Sequence, residues 1–508
     1  AEEIAARLDD RFQLLTGGSR TAMPRQQTLQ ALIEWSWNLL NEDEQALLGR
    51  LSVFSGSFTY AAAEFVGDPD KSLNVFEALT QLVRKSLITV HEQQGTHIRY
   101  RLLETIRHFA TDKVVHQGEV EANRARHAEF FTNLVIEATP HIQGSDVIPW
   151  IYKLARDNDN LTAAIHWVSQ HQPRDIFHYI DVLPFLTNEK VFAQNDKDLF
   201  RTTLEEILKD PTLKDTEADN LIRLKCYNRL VQLAVVRGDS RDASQLIEAS
   251  EIVSKNVNDK KEYAMALAFW TVAHMSYGNP EKAVASARES LKIARGINDV
   301  FISVRGLLFL GEYYQISGLF VELEEIMLEI NVLQKELKNA WVTGTYAIAQ
   351  ANLSAYNGNL DETRGYLAQA VELIEQVDGR LLANDMRSNL AHSLRELGHD
   401  DFAKEVYFES LAVFYDLDWT VAFPGQFESL ALIGTRASQH EYAAKLLGAA
   451  EELRSAHNFE RVGNEGPVYE NGVKNAKGAL GEEAFEIAFT IGRKMPVEEA
   501  VALALKPN

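Results

Sequence analysis

Residues 351–370 read ANLSAYNGNLDETRGYLAQA. A run of helix formers stops at Tyr356-Asn357-Gly358, and a second run begins after Asn359. Glycine adopts the left-handed backbone conformation that ends a helix without a Cβ penalty, so Gly358 marks a reversal of the chain. Ala351 stands seven residues before it, Thr363 five after it and Ala370 twelve after it. These small side chains sit where two antiparallel helices come close, and Leu367 supplies bulk for the layer between them.

The pattern recurs every forty residues. Turn glycines stand at Gly238, Gly278, Gly318, Gly358 and Gly398, with Ser438 in the sixth place. Before each turn come Val231, Thr271, Gly311, Ala351, Ala391 and Ala431; after it come Ala243, Ala283, Leu323, Thr363, Ala403 and Ala443. Farther on lie Ser250, Ser290, Ile330, Ala370, Ser410 and Ala450, with Ile247, Ala287, Met327, Leu367, Tyr407 and Leu447 in the large-residue column. A lone helical hairpin cannot bury its apolar faces, so such units stack into a superhelix. The pattern resembles the tetratricopeptide repeat, whose usual period is about 34; the longer spacing implies longer helices or joints. The register reaches back weakly through Thr203 and Ala163, so six clear pairs and one or two degenerate ones are expected.

The first hundred residues read differently. A helix LQALIEWSWNLL places Leu32, Trp35, Leu39 and Leu40 near one face, and Asn41 with Glu44 forms a capping-box start for the next. The helices TYAAAEFVG and SLNVFEALTQLVRKS follow, then two alternating runs, LITVHEQ and HIRYRL, around Gln94-Gly95, and a last helix LLETIRHFATDKVV. That is the order of a winged-helix domain. The candidate recognition helix, Ser72–Ser86, has Lys71, Arg84 and Lys85 only at its ends, and Leu73, Val75, Phe76, Leu79, Leu82, Val83 and the acid Glu77 between. A DNA reader needs basic or amide side chains along its exposed face, so this helix reads as a core element.

Composition narrows the function further. With 73 acidic and 51 basic residues the formal charge is −22, a field that repels a phosphate backbone. No direct nucleic-acid contact is therefore expected. A single cysteine, Cys226, excludes an internal disulfide framework and a multi-cysteine zinc site, and fits a cytoplasmic setting. No apolar run reaches membrane-spanning length; VFISVRGLLFLG carries Arg305 in its middle. The chain opens without methionine on a charged amphipathic helix, AEEIAARLDD, as a segment of something larger would.

The stretches RLDDRFQLLTGGSRTAMPRQQTLQALIEWSWNLL, EQALLGRLSVFSGSFTYAAAE, QLVRKSLI and RYRLLETIRHFA resemble STAND-type signal-transduction ATPases. These join an NB-ARC-like nucleotide-binding module, a winged helix and a tetratricopeptide-like sensor array, a middle shared by LuxR-like and AfsR-like transcription regulators. The C-terminal ALGEEAFEIAFTIGRKMPVEEAVALAL resembles the end of that array. The resemblance implies a mainly α chain: a remnant of the NTPase lid and hinge over 1–22, a winged helix over 23–117, and a helical linker with degenerate repeats over 118–215. A tetratricopeptide-like superhelix over 216–460 and a C-terminal helical cap over 461–508 complete it. It also implies that ATP or ADP belongs to an upstream module. This chain has no G-x-x-x-x-G-K-[ST], so Gly17-Gly18-Ser19-Arg20 is a hinge rather than a phosphate loop, and no cofactor or ATPase activity is expected here.

Winged helices of that family carry a Met-His-Asp-like motif at the start of their last helix. Arg101 to Glu104 matches it by position, with Leu103 in place of the histidine. Glu104 is therefore a candidate to cap the helix or to pair with a lid arginine, Arg20 or Arg25, and Arg101 belongs to the same strip. Other constellations fail. Asp157 to Asn160, DNDN, lacks the glycine and glutamate of a calcium loop and reads as a helix cap before LTAAIHWV. No H-E-x-x-H or G-x-S-x-G occurs, Cys226 reads as packing, and Glu324-Glu325 and Glu482-Glu483 read as solvated faces. No metal site is expected.

In a superhelix the first helix of each pair lines the concave surface. One place after each first-helix small residue stand Gln232, Val272, Glu312, Asn352, His392 and Leu432. The polar members Gln232, Glu312, Asn352 and His392, with nearby Arg305, Tyr356 and Arg395, are the candidate contacts for a small-molecule inducer or protein partner. The expected function is the regulatory half of a STAND-type protein, in which inducer binding frees the upstream module to exchange nucleotide. The alternative is a self-standing adaptor whose array docks a peptide.

Overall fold

The computed structural model describes residues 24–91, 98–182, 194–237, 240–276, 279–317, 319–417, 419–457, 461 and 465–506. The chain divides into two compact units, residues 1–134 with 156–167, and residues 135–155 with 168–508.

In the first unit α1 (Pro24–Asn38), α2 (Glu42–Leu51), α3 (Tyr60–Gly67) and α4 (Val75–Arg84) precede the strands β1 (Ile88–His91) and β2 (Arg99–Leu102) and then α5 (Glu104–Gln117). The strands are antiparallel, Ile88 opposite Leu102, and Phe58 bridges Tyr100 beside them. This is a winged helix. The capping box closes, with Glu44 N donating to Asn41 Oδ1 at 2.8 Å and Asn41 N to Glu44 Oε2 at 2.9 Å. Leu47, Leu51, Phe54, Phe58, Leu79 and Leu82 fill the core. One expected face is reversed. Along α1 and the turn that follows it, Trp37 and Leu40 are buried and Ile33 half-buried, whereas Leu32, Trp35 and Leu39 stand in solvent. The helix carries two apolar stripes, and the one spaced i, i+4, i+7 meets the core.

The DNDN string does more than start a helix. It lies where α7 (Val147–Arg156) gives way to α8 (Asn158–His171). Asn160 Oδ1 accepts from Ser55 N at 3.0 Å and Gly56 N at 3.3 Å, while its Nδ2 donates to Ser57 O at 2.9 Å. Asp157 forms a buried ion pair with Arg99 of β2, whose Nε donates to Ser57 Oγ at 2.8 Å. From α6 (Val120–Ile142) His127 packs on Phe54 and Phe131, with Nε2 3.4 Å from Asn160 Oδ1.

Burial pushes the His127 imidazole down from 6.5 to about 4, so it is neutral in the fold. A depressed folded value means that the unfolded chain binds the extra proton; the contribution is complete above pH 6.5 and is lost as the pH falls toward 4. The unit is expected to lose about 2 kcal/mol between pH 7 and pH 5 from this group. Urea titrations at the two pH values should show that slope in the wild type and lose most of it in His127→Gln. An equal slope in both would assign the acid sensitivity elsewhere.

The second unit holds the repeats. After α9 (Ile176–Val182) and α10 (Gln194–Leu208) come the pairs α11 (Glu217–Arg237) with α12 (Ser240–Ser254), α13 (Lys260–Ser276) with α14 (Pro280–Gly296), and α15 (Val300–Ile316) with α16 (Phe320–Leu337). Then α17 (Ala340–Tyr356) pairs with the first half of α18 (Leu360–Glu396), the second half of α18 with α19 (Asp400–Asp416), and α20 (Phe423–Arg436) with α21 (His440–His457). The end is closed by α22 (Glu465–Leu480), α23 (Glu482–Arg493) and α24 (Val497–Ala504). One joint departs from the rest: α18 runs unbroken for 37 residues, so the second helix of the fourth pair and the first of the fifth are a single rod.

The corners repeat in hydrogen bonding as they do in sequence. The same N–H to carbonyl bond joins Asn279 to His274 (2.8 Å), Leu319 to Tyr314 (2.7 Å), Asn359 to Ser354 (2.8 Å), His399 to Leu394 (2.9 Å) and Gln439 to Gly434 (2.8 Å). Gly358 and Gly398 have φ of 79° and 83°, and Ser438 takes the same left-handed conformation at 62°. Gly238, Gly278 and Gly318 lie outside the described residues. A side chain in that conformation costs roughly 1–2 kcal/mol, partly offset by the freedom glycine would lose on folding. Ser438→Gly is therefore expected to stabilise the array by about 0.5 kcal/mol and Gly358→Ala to destabilise it by about 1 kcal/mol, read by thermal melts. A drop in Ser438→Gly would contradict the assignment.

The small columns are the crossings. Ala243, Ala283, Leu323, Thr363, Ala403 and Ala443 are all fully buried, as are Ser250, Ser290, Ile330, Ala370, Ser410 and Ala450. The serines also tie helices together, Ser290 Oγ donating to Ala264 O at 2.7 Å and Ser250 Oγ to Asn228 Oδ1 at 3.0 Å. First helices pack on first helices, α11 on α13, α13 on α15 and α15 on α17; among the described residues successive second helices make no comparable contacts. The first helices are thus the tighter, inner row.

Candidate functional site

The inner row carries the candidate ligand contacts, and the structure separates them. Gln232 on α11 is half-buried. Asn352 on α17 is fully buried; its Nδ2 returns to Ile348 O at 3.0 Å and its Oδ1 has no partner. Tyr356 is exposed at the end of α17 and stacks on Phe320, at 3.8 Å between ring centres, so it belongs to a corner.

His392 and Arg395 join the fifth and sixth pairs. His392 Nδ1 lies 2.6 Å from the Tyr407 hydroxyl and 3.3 Å from Ser429 Oγ. Burial, and the Arg395 charge, push this imidazole down to about 3. Arg395 is buried and donates to Ser429 Oγ at 2.8 Å and to Glu396 at 2.5 Å. Gln315 Nε2 donates to Ser393 Oγ at 3.0 Å, so α15 reaches the second half of α18 past α17, which packs on both.

Arg305 and Glu312 are placed otherwise. Arg305 Nε is buried without an acceptor among the described residues, and the guanidinium lies 5.2 Å from the Phe269 ring centre and 5.6 Å from that of Phe309. Arg229 lies 5.0 Å from the same Phe269 ring. Burial, then the Arg229 charge, lower the Arg305 guanidinium to about 10, where it is still a cation at neutral pH. Glu312, seven residues along α15, is open to solvent yet crowded by neighbouring helices, and that loss of surrounding water raises its carboxyl above the ordinary range. The same cause pushes Asp385 up to about 7.

Asp385, Arg229, Phe269 and Phe309 escaped the sequence reading, although the period could have found them. Arg305 and Asp385 stand eighty residues apart in one column, and Arg229, Phe269 and Phe309 occupy another.

The strip on the winged helix is simpler than expected. Arg101 is exposed on β2, its carbonyl accepting from Thr89 Oγ1 at 3.1 Å. Leu103, not Glu104, is the N-cap of α5, with no side-chain cap bond. Glu104 instead pairs with Arg107 at 2.5 Å and His108 at 2.9 Å on its own helix, and the Arg107 bonds hold its carboxyl below the usual range. Arg20 lies outside the described residues, as does the side chain of Arg25. On α4 the solvent face shows Phe76, Glu77 and Arg84, while the adjoining Lys85 is paired with Glu44 at 2.6 Å.

Cys226 is buried, and burial pushes its thiol up to about 12, which fits packing rather than nucleophilic chemistry. Among the described residues no group of His, Cys, Asp and Glu is arranged to hold a metal ion, and no helix is long and apolar enough to cross a membrane.

These features define a winged-helix domain in one chain with a tetratricopeptide-like array. Residues 40–114 match the family described as "Winged helix-turn-helix domain". Over 99% of its length the chain is 26% identical to proteins of Mycobacterium tuberculosis and Mycobacterium bovis named provisionally as HTH-type transcriptional regulators, and it covers 69% of their length. An uncharacterized protein of Mycobacterium tuberculosis is 39% identical over 128 residues, 25% of this chain and 32% of its own. In fold the chain is similar to a Signal Transduction ATPase with Numerous Domains (STAND) protein with a tetratricopeptide repeat sensor from Pyrococcus horikoshii. That match has a TM-score of 0.50 and 17% identity, and covers 96% of this chain and 68% of the other. The chain is thus similar over nearly its whole length to proteins named provisionally as HTH-type regulators, and in fold to a STAND protein with a tetratricopeptide repeat sensor.

Proposed function

We propose that this chain is the sensing and relay portion of a signalling regulator. An inducer, small molecule or protein, binds the inner face of the array, and the winged helix passes the change to an upstream nucleotide-binding module. ATP or ADP and any hydrolysis belong to that module, and the setting is cytoplasmic. The observation that carries this reading is the inner face itself: among the described residues Arg305 and Glu312 have no hydrogen-bond or ion-pair partner, where an array built only for packing would pair or omit them. The relatives' names supply the regulatory context. The winged helix is assigned to relay rather than to reading DNA because the exposed side of α4 offers an aromatic ring and a carboxylate beside one arginine.

The relay is a population shift, so the inducer must bind one arrangement of the chain better than another. The test is hydrogen exchange on the chain after equilibration with soluble extract of its source cells, retained compounds being identified by mass spectrometry. Protection of α11, α13, α15 and α17 together with altered exchange in β1, β2 and α5 is the expected result. Protection confined to the array would favour the adaptor reading. No protection of the inner row would end both.

A further inference from the structure

Resting on that reading, we infer that Arg305 anchors an anion-binding subsite on the inner face of the array, for a ligand whose carboxylate is carried on an apolar body seated between Phe269 and Phe309. Many arginines of the array are paired with a carboxylate of a neighbouring helix. Arg201 meets Asp242, Arg295 meets Glu329, Arg364 meets Glu405, Arg380 meets Asp416 and Arg454 meets Glu428. In a chain with 73 acidic residues counter-charges are not scarce, yet among the described residues none is paired with Arg305.

Its surroundings suit one kind of guest. The two phenylalanine rings attract the cation by their faces but offer no oxygen to the in-plane N–H groups, and the buried Nε–H has no acceptor among the described residues. A carboxylate fits that planar fork bidentately, and an apolar body replaces water on the ring walls. Arg229, on the same Phe269 ring, deepens the positive potential at this point. A doubly charged phosphate would lose more hydration against these two rings than a singly charged carboxylate, which favours the carboxylate.

The probes are N-acetyl-L-phenylalanine, its uncharged amide and inorganic phosphate, titrated against the full chain by calorimetry. The acid is expected to bind about ten-fold or more tightly than the amide, and Arg305→Gln and Arg305→Met should both abolish that difference. The thermal midpoint of Arg305→Met should hold or rise, because no ion pair is broken. Equal binding of acid and amide, or a difference that survives both substitutions, overturns the proposal. So does a midpoint several degrees lower in Arg305→Met with no discrimination in the wild type, which would make Arg305 a structural cation–π staple. Phosphate binding as tightly as the acid would overturn the carboxylate assignment. A retained compound that protects α11, α13, α15 and α17 equally in wild type and Arg305→Gln would sink this subsite alone, whereas absence of any protection sinks the broader reading.

Discussion

Asp157→Asn should cost the winged-helix unit about 3–5 kcal/mol. Asp157 and Arg99 are both nearly inaccessible, 5% and 4% exposed, and face each other across the end of β2. The substitution keeps the shape and removes only the charge. Arg99 retains its bonds to Ser57 Oγ and Ser57 O but is left as a buried cation without its counter-ion. Breaking one half of such a pair is far more damaging than replacing both halves. Arg99→Met combined with Asp157→Leu should therefore recover most of the loss. Urea unfolding of the wild type, Arg99→Met, Asp157→Leu and the double variant gives the coupling directly; additive effects of the two single substitutions would show that the pair does not act as a unit.

The same residues show where sequence reading stops. DNDN was legible as the start of a helix, because short polar side chains before an apolar run satisfy free N–H groups. Its partners were not legible. Ser55, Gly56, Ser57 and Arg99 lie roughly sixty to a hundred residues away, and no local pattern records a pairing made by the fold. The array lies at the other extreme. A forty-residue period places the same chemistry at each corner, so one reading of 351–370 predicts corners at 279, 319, 399 and 439, and each carries the same hydrogen bond. Periodicity gave the inner row as well, but not the state of each member. His392 and Arg395 look as polar in sequence as Arg305 and Glu312; only packing shows that Tyr407 and Ser429 already occupy the first two. The face of α1 misled for a related reason, since a helix with two apolar stripes offers either of them to a core that the sequence does not locate.

Gly492→Ala tests the C-terminal closure, where no period helped. A Cβ at Gly492 would overlap the carbonyl and Cα of Lys445, and one at Gly448 would overlap the carbonyl of Phe489, so α21 and α23 cross backbone against backbone. Main-chain atoms cannot swing aside as a flexible side chain can, so the helices must separate. Gly492→Ala is expected to cost about 3 kcal/mol or more, the upper end for overpacking. Gly365, inside α18, has open space where its Cβ would be, and Gly365→Ala should stabilise by roughly 0.5–1 kcal/mol through helix propensity alone. One chemical change thus has opposite signs at two helical glycines, decided by what lies beyond the missing methyl. Thermal melts of both variants read the contrast. A mild effect at Gly492 would mean that α23 can slide along α21 without loss of packing. The end of the array, where Phe485 and Ala488 are buried, would then be a movable cap rather than a fixed one.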